Sequence, residues 1–164
     1  MKINTSLYTV IITLTFLVYC SCAGFKNLSR NNLKCIKKCS NEQNVSLEIK
    51  CLSNSINKNP TYSEYYLLRG SAYIKLMKFT TAIHDFRKVI ELEPGNVDGY
   101  YRLAAAASLA TYKQYALYWL QRCFEAGFTN YQLIENDNNF DILRETDEFK
   151  TLLKKWYQKP VSLN

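Results

Sequence analysis

Two prolines do most to restrict what this chain can fold into. Pro60 closes the run "SNSINKNP" and Pro94 closes "FRKVIELEPGN", and the two stand 34 residues apart. Between them lie apolar residues at helical spacing, with no strand-like alternation. A stop signal that returns at a fixed period of this size marks an array of helical units. Each unit is too small to bury its own apolar face and stacks on its neighbours.

Reading the chain in steps of 34 bears on this. In the unit Ser63–Asn96, Tyr66, Gly70 and Tyr73 fall at i, i+4 and i+7, one stripe of a first helix. Ala82, Phe86 and Val89 repeat that stripe on a second helix after a short turn, "MKF". Two helices joined so closely form an antiparallel hairpin. Gly70 inside the first costs about 1 kcal/mol relative to Ala, and the reason expected for it is close approach of the partner helix. One period on, the positions become Tyr100, Ala104, Ala107, Ala116, Leu120 and Cys123, and the small-against-large pattern survives. One period back they become Asn32, Ile36, Cys39, Glu48, Leu52 and Ser55, a degenerate copy in which Ile49, Leu52 and Ile56 still make an apolar stripe. The expected layout is therefore an atypical first repeat over 29–62, repeats over 63–96 and 97–128, and helical capping over 129–160. Thr146 is the expected N-cap of a last helix, with Asp147 and Glu148 in its first turn and Lys154 and Lys155 near its end. The fold class is all-α, an α-solenoid of about three helix-turn-helix repeats with a C-terminal cap.

The unit Ser63–Asn96 resembles a tetratricopeptide repeat. Tyr66, Gly70, Tyr73, Ala82, Phe86 and Pro94 match that family's pattern, whereas Arg69 and Val89 depart from it. The next unit matches at Tyr100, Leu103, Ala116 and Leu120 and lacks the Gly and the Pro. The tail is similar to the closing segment of many bacterial tetratricopeptide proteins, at Gly127, Phe128, Tyr131, Ile134, Phe140, Asp141, Leu143, Arg144, Phe149 and Leu152. The resemblance implies binding of a partner protein or peptide by the inner faces of the first helices. Mapped by repeat position, that groove comprises Glu64, Leu67, Leu68, Ser71, Ile74, Lys75, Asp98, Tyr101, Arg102 and Ala105. Leu67, Ile74 and Tyr101 are the expected apolar anchors, free of core duty. The family's clamp for C-terminal carboxylates has only Arg102 as a counterpart here, so a carboxylate-terminated peptide is not expected.

The N-terminus reads differently. Lys2 is the only charge before Lys26, and "LYTVIITLTFLVYC" is continuous apolar sequence ending in the small residues "SCAG". That order is the pattern of a secretory signal, here residues 1–23, with 24–28 as a short linker. The apolar run is short for a membrane span, which takes roughly 20 residues. Ser21 and Ala23 suit ordinary cleavage before Gly24. Alternatively "VYCSCAG" resembles a lipobox, with Cys22 as the lipidated residue ahead of Cys20, whose preceding Tyr19 is bulky. The expected setting is the cell envelope, as a membrane-anchored lipoprotein or a periplasmic or secreted protein. The chain holds 21 Lys and Arg against 14 Asp and Glu. Residues 23–60 hold seven basic and two acidic residues, and 61–164 hold thirteen and twelve. A basic stretch after an anchor can lean on anionic headgroups, whereas a near-neutral repeat region lacks the basic stripe of a nucleic-acid binder.

Little else carries chemistry. His84, the only histidine, lies off the core stripe and has no partner for a relay or a metal site. "NDNNFD" lacks the glycine of a calcium loop. No phosphate loop or nucleophile elbow is present, so no cofactor and no enzymatic role are expected. Past the signal stand Cys35, Cys39, Cys51 and Cys123. In an exported chain a disulfide is the natural reading, and a hairpin turning near residues 43–45 sets Cys39 opposite Cys51. Cys123 falls on the core stripe as a small buried hydrophobe. The functional expectation is an exported, lipid-anchored adaptor. The alternatives are a redox factor using Cys35 and Cys39, their thiols lowered by Lys34, Lys37 and Lys38, or a structural envelope subunit with no groove ligand. Cys22→Ala is expected to abolish membrane fractionation in a bacterial host. A variant that still sediments with membranes, with no lipid on Cys22 of the wild type, would remove the tether.

Overall fold

Left-handed backbone at two non-glycine residues, one period apart, shows how the units are built. The computed structural model describes residues 44–157 together with Lys34, Lys37 and Lys38. The chain divides into two units, 1–41 and 42–164. In the first, Lys34, Lys37 and Lys38 are helical and exposed. In the second, α1 (Val45–Lys58), α2 (Ser63–Lys75), α3 (Phe79–Leu92), α4 (Val97–Leu109) and α5 (Lys113–Glu125) follow one another with short turns. Then come α6 (Tyr131–Asn136), a 3₁₀ turn (Asn138–Phe140), α7 (Asp141–Arg144) and α8 (Asp147–Tyr157). The described residues contain no strand.

The turns repeat in register. Met77 closes α2 with φ 57° and Thr111 closes α4 with φ 65°. In each case the next amide donates back into the helix, Lys78 N to Tyr73 O and Tyr112 N to Ala107 O, both at 2.9 Å. This is the αL ending that satisfies a helix's last carbonyls. It usually falls on Gly, because a side chain there is strained. Gly127 does occupy it after α5, at φ 103°, with Phe128 N donating to Cys123 O at 3.1 Å. The prolines have a second role beyond stopping helices. The Tyr66 hydroxyl donates to Pro60 O at 3.0 Å, and the Tyr100 hydroxyl donates to Pro94 O at 3.1 Å. Each bond ties the loop before a hairpin to the first helix of that hairpin. Asn96 adds an N-cap for α4, accepting from Gly99 N at 2.9 Å.

Each helix packs on the next, α1 on α2, α2 on α3, α3 on α4 and α4 on α5. Ala82, Phe86 and Val89 are buried, as are Ala116, Leu120 and Cys123. Leu52 and Ile56 of α1 are buried and Ile49 is half-buried, so the degenerate copy keeps its stripe. The glycine expectation holds in detail: a Cβ on Gly70 would lie 2.6 Å from Phe86 Cε1. One period on, Ala104 replaces Gly70 and Leu120 replaces Phe86, both fully buried. The larger first-helix residue goes with the smaller second-helix one.

Arg69 is more than a departure from a repeat pattern. Its Nε donates to Asp85 Oδ2 at 2.8 Å and its Nη2 to Oδ1 at 2.6 Å, while Nη1 donates to Ser53 Oγ at 3.1 Å. One guanidinium thus joins α1, α2 and α3 through a forked, charge-assisted pair. It also lies 5.7 Å and 5.9 Å from the ring centres of Tyr66 and Tyr73. The closing helix forms as read. The Thr146 hydroxyl accepts from Phe149 N at 3.4 Å, and Phe149, Leu153 and Trp156 are buried. Leu152 is only half-buried, and Pro160 lies outside the described residues.

Gly70→Ala is expected to destabilise the protein by roughly 1–3 kcal/mol through overpacking against Phe86. Adding Phe86→Leu should recover part of that loss. His84→Ala, at an exposed site, should shift stability by less than about 0.5 kcal/mol. Denaturant melts of the four proteins check this, and equal shifts for Gly70→Ala and His84→Ala would contradict the register.

Candidate functional site

The helical period brings α2 and α4 side by side, with part of their inner faces left open. Between them lies a cavity of about 200 Å³, lined by Ser71 and Ile74 of α2, Tyr101, Arg102, Ala105 and Leu109 of α4, and Asn139 of the closing segment. Five of the ten groove residues read from the sequence meet here. Arg102 spans the two helices: its Nε donates to Asp98 Oδ2 at 2.8 Å and its Nη1 to Ser71 Oγ at 3.1 Å. The Ser71 hydroxyl in turn donates to Leu67 O at 2.8 Å. At the N-terminal end of the two helices, Glu64 is half-buried. Burial, and then the like charge of Asp98, push its carboxyl above the ordinary range. Nearby Glu93 is held low by the Ser63 hydroxyl, at 2.5 Å, and by the Asn96 amide. At the other end of α2, Lys75 pairs with Glu48 of α1 at 3.1 Å.

Two expected anchors are corrected. Leu67 is only 9% exposed. It follows Tyr66 by about 100° around the helix and so falls within the wide apolar stripe of a helix packed on both sides. Tyr101 is half-buried beneath the closing segment, where its ring stacks on Phe128 at 5.6 Å and meets Phe140 edge-on at 5.9 Å. Its hydroxyl donates to the Asp137 carboxylate. Burial and then that bond raise its pKa. Tyr101 therefore fastens the cap to α4. Ala105 is also buried, as one wall of the cavity. Ile74 and Leu68 remain half-buried. Sequence reading missed Leu109 of α4 as a groove residue, and it missed Asn139. Asn139 lies outside the 34-residue register, in the closing segment.

No family model matches the chain. The solved structure "First TPR of Spaghetti (RPAP3) bound to HSP90 peptide SRMEEVD" superposes with a TM-score of 0.56 at 20% identity, covering 75% of this chain and 90% of that one. The crystal structure of MamA superposes with a TM-score of 0.58 at 17% identity, covering 69% of this chain and 64% of that one.

This is a tetratricopeptide-repeat fold.

Curated proteins match over shorter spans. Protein SGT1 homolog of Oryza sativa subsp. japonica is 30% identical over 108 residues, which is 65% of this chain and 28% of that protein. Tetratricopeptide repeat protein 16 of Macaca fascicularis is 30% identical over 73 residues, 44% of this chain and 8% of that protein. A UDP-N-acetylglucosamine–peptide N-acetylglucosaminyltransferase of Giardia intestinalis is 42% identical over 65 residues, 40% of this chain and 4% of that protein. The chain thus spans less than a third of the length of each of these curated relatives.

The remaining sites predicted from sequence are cysteines. Cys22, Cys35 and Cys39 fall outside the described residues. Cys51 is disulfide-bonded, and Cys39, the partner expected for it, lies beyond what is described. No helix among the described residues is long and apolar enough to cross a membrane, and residues 1–23 are not among them. Cys123 is fully buried, its Sγ donating to Val97 O at 3.7 Å. Burial pushes its thiol up to about 12, because a thiolate there would lose its hydration. In the folded protein at pH 8, Cys123 should resist iodoacetamide and react only after unfolding in guanidinium. Peptide mass mapping of alkylated sites checks this, and rapid labelling of the native protein would mean the site is open.

Proposed function

We propose that this chain is a protein-interaction adaptor that holds a peptide segment of a partner protein in the α2–α4 groove. One observation carries the reading: the register leaves a cavity of about 200 Å³ open between two first helices, lined by Ile74, Ala105 and Leu109 with Ser71 and Arg102 beside them. Cavities of this kind, mostly apolar with a few convergent polar groups, are the usual ligand sites of a fold. A neighbour of the same fold is bound to an HSP90 peptide, which supports a peptide as the class of ligand. The N-terminal pattern supports export as part of the same proposal, with residues 1–23 as a secretory signal and Cys22 as the lipid tether. The adaptor would then work at the cell envelope, beside a membrane.

Site-directed photocrosslinking tests the groove. A benzoyl-phenylalanine at Ile74 should form an adduct with one segment of a partner protein in envelope extracts. The same group at Tyr118, which is 55% exposed on α5, should not form that adduct. Introducing Arg102→Ala alongside the Ile74 probe should reduce the adduct severalfold, since polar contacts at a groove mouth fix ligand orientation. Adducts obtained only from position 118 would move the binding surface to the second helices.

A further inference from the structure

We infer that Asn139 is a ligand-contacting residue of the α2–α4 groove. Its side-chain oxygen accepts a hydrogen bond from a main-chain N–H of a bound segment, and an apolar side chain beside that N–H fills the cavity. This rests on the groove reading above and names the chemistry of the contact. The cavity supplies the apolar half. Ser71 and Ala105 stand 34 residues apart, at one repeat position, and both are small. Their size leaves about 200 Å³ of room beside Ile74 and Leu109, enough for one leucine-sized or methionine-sized side chain.

The closing segment supplies the polar half. Asn139 lines the same cavity and is half-buried. Its backbone N donates to Asp137 Oδ1 at 2.9 Å, and its Nδ2 donates to Asp137 Oδ2 at 3.2 Å. These bonds fix the orientation of the side-chain amide, because the flipped amide would set its oxygen against a carboxylate. Asp137 is held in turn. The Tyr101 hydroxyl donates to its carboxylate, and Arg144 Nη2 donates to its carbonyl oxygen at 3.2 Å. Asn139 is thus anchored from both α4 and α7. Its Oδ1 receives no hydrogen bond among the described residues. The other polar side chains of the lining are engaged. The Ser71 hydroxyl donates to Leu67 O and accepts from Arg102. The Tyr101 hydroxyl donates to Asp137, and Arg102 can only donate. An oriented acceptor with no donor, at the edge of an apolar cavity, is the kind of polar group that fixes a ligand's pose. A main-chain N–H is the donor that a peptide carries beside nearly every side chain.

The test starts with selection from a random dodecapeptide display library on the immobilised full-length chain. Groove binders are defined by their loss on Ile74→Arg, with circular dichroism confirming that the variant stays folded. One such peptide is resynthesised with fluorescein as a series in which each backbone N–H in turn becomes N–CH₃. Anisotropy then gives the affinity of every member for the wild type, for Asn139→Ala and for Asn139→Leu, a substitution of similar size. One N-methyl position, within two residues of a Leu, Met or Ile, should weaken wild-type binding about tenfold and binding to either variant by less than about twofold. The unmodified peptide should bind both variants about fivefold more weakly than it binds the wild type. N-methyl penalties that are the same in all three proteins would overturn the role of Asn139 while leaving the groove reading in place. Recovery of no Ile74-dependent peptide would overturn both.

Discussion

The crossing of α2 and α3 at Gly70 sets the geometry that the rest of the repeat region follows. The missing side chain at Gly70 lets the Phe86 ring sit where a Cβ would have been, so the two helices approach closely. That distance determines how far the next hairpin is offset, and α4 and α5 reproduce it with Ala104 and Leu120. Interiors pack at crystal-like density, so a hairpin with one wrong volume at the crossing cannot stack on its neighbour without a gap or a clash. The tyrosine-to-proline-carbonyl bonds and the paired left-handed turns at Met77 and Thr111 then hold each unit at the same angle to the last. They satisfy backbone groups that the short loops would otherwise leave without partners.

Given that stacking, the groove is a by-product of the core. First helices lie side by side because second helices have taken the positions behind them. The closing segment decides how much of the resulting face stays open. Tyr101 stacks on Phe128, meets Phe140 and bonds Asp137, so part of the inner face of α4 is covered by the chain itself. Ile74, Arg102 and the small Ala105 remain as the floor and walls of a pocket, with Asn139 at its edge. The electrostatics follow from the same geometry. Glu64 and Asp98 occupy the same repeat position, so stacking brings two like charges together, and Arg102 pairs with Asp98 while reaching across to Ser71.

Much of this was legible along the chain. The 34-residue spacing of Pro60 and Pro94 implied repeats, the i, i+4, i+7 stripes identified the core, and Gly70 marked the tight crossing. The Thr146 cap and the burial of Cys123 also followed from local pattern. These features depend on residues near in sequence or related by a fixed period, and helix geometry projects such relations directly into space. Leu67, Tyr101 and Arg69 did not follow. Each is decided by what a distant segment places against it: neighbouring helices around Leu67, the cap over Tyr101, and Ser53 and Asp85 around the Arg69 guanidinium. Periodicity determined that a groove would exist between α2 and α4. Which of its side chains stay open, and which are covered, only the tertiary structure decided, because burial depends on contacts that no single helix contains.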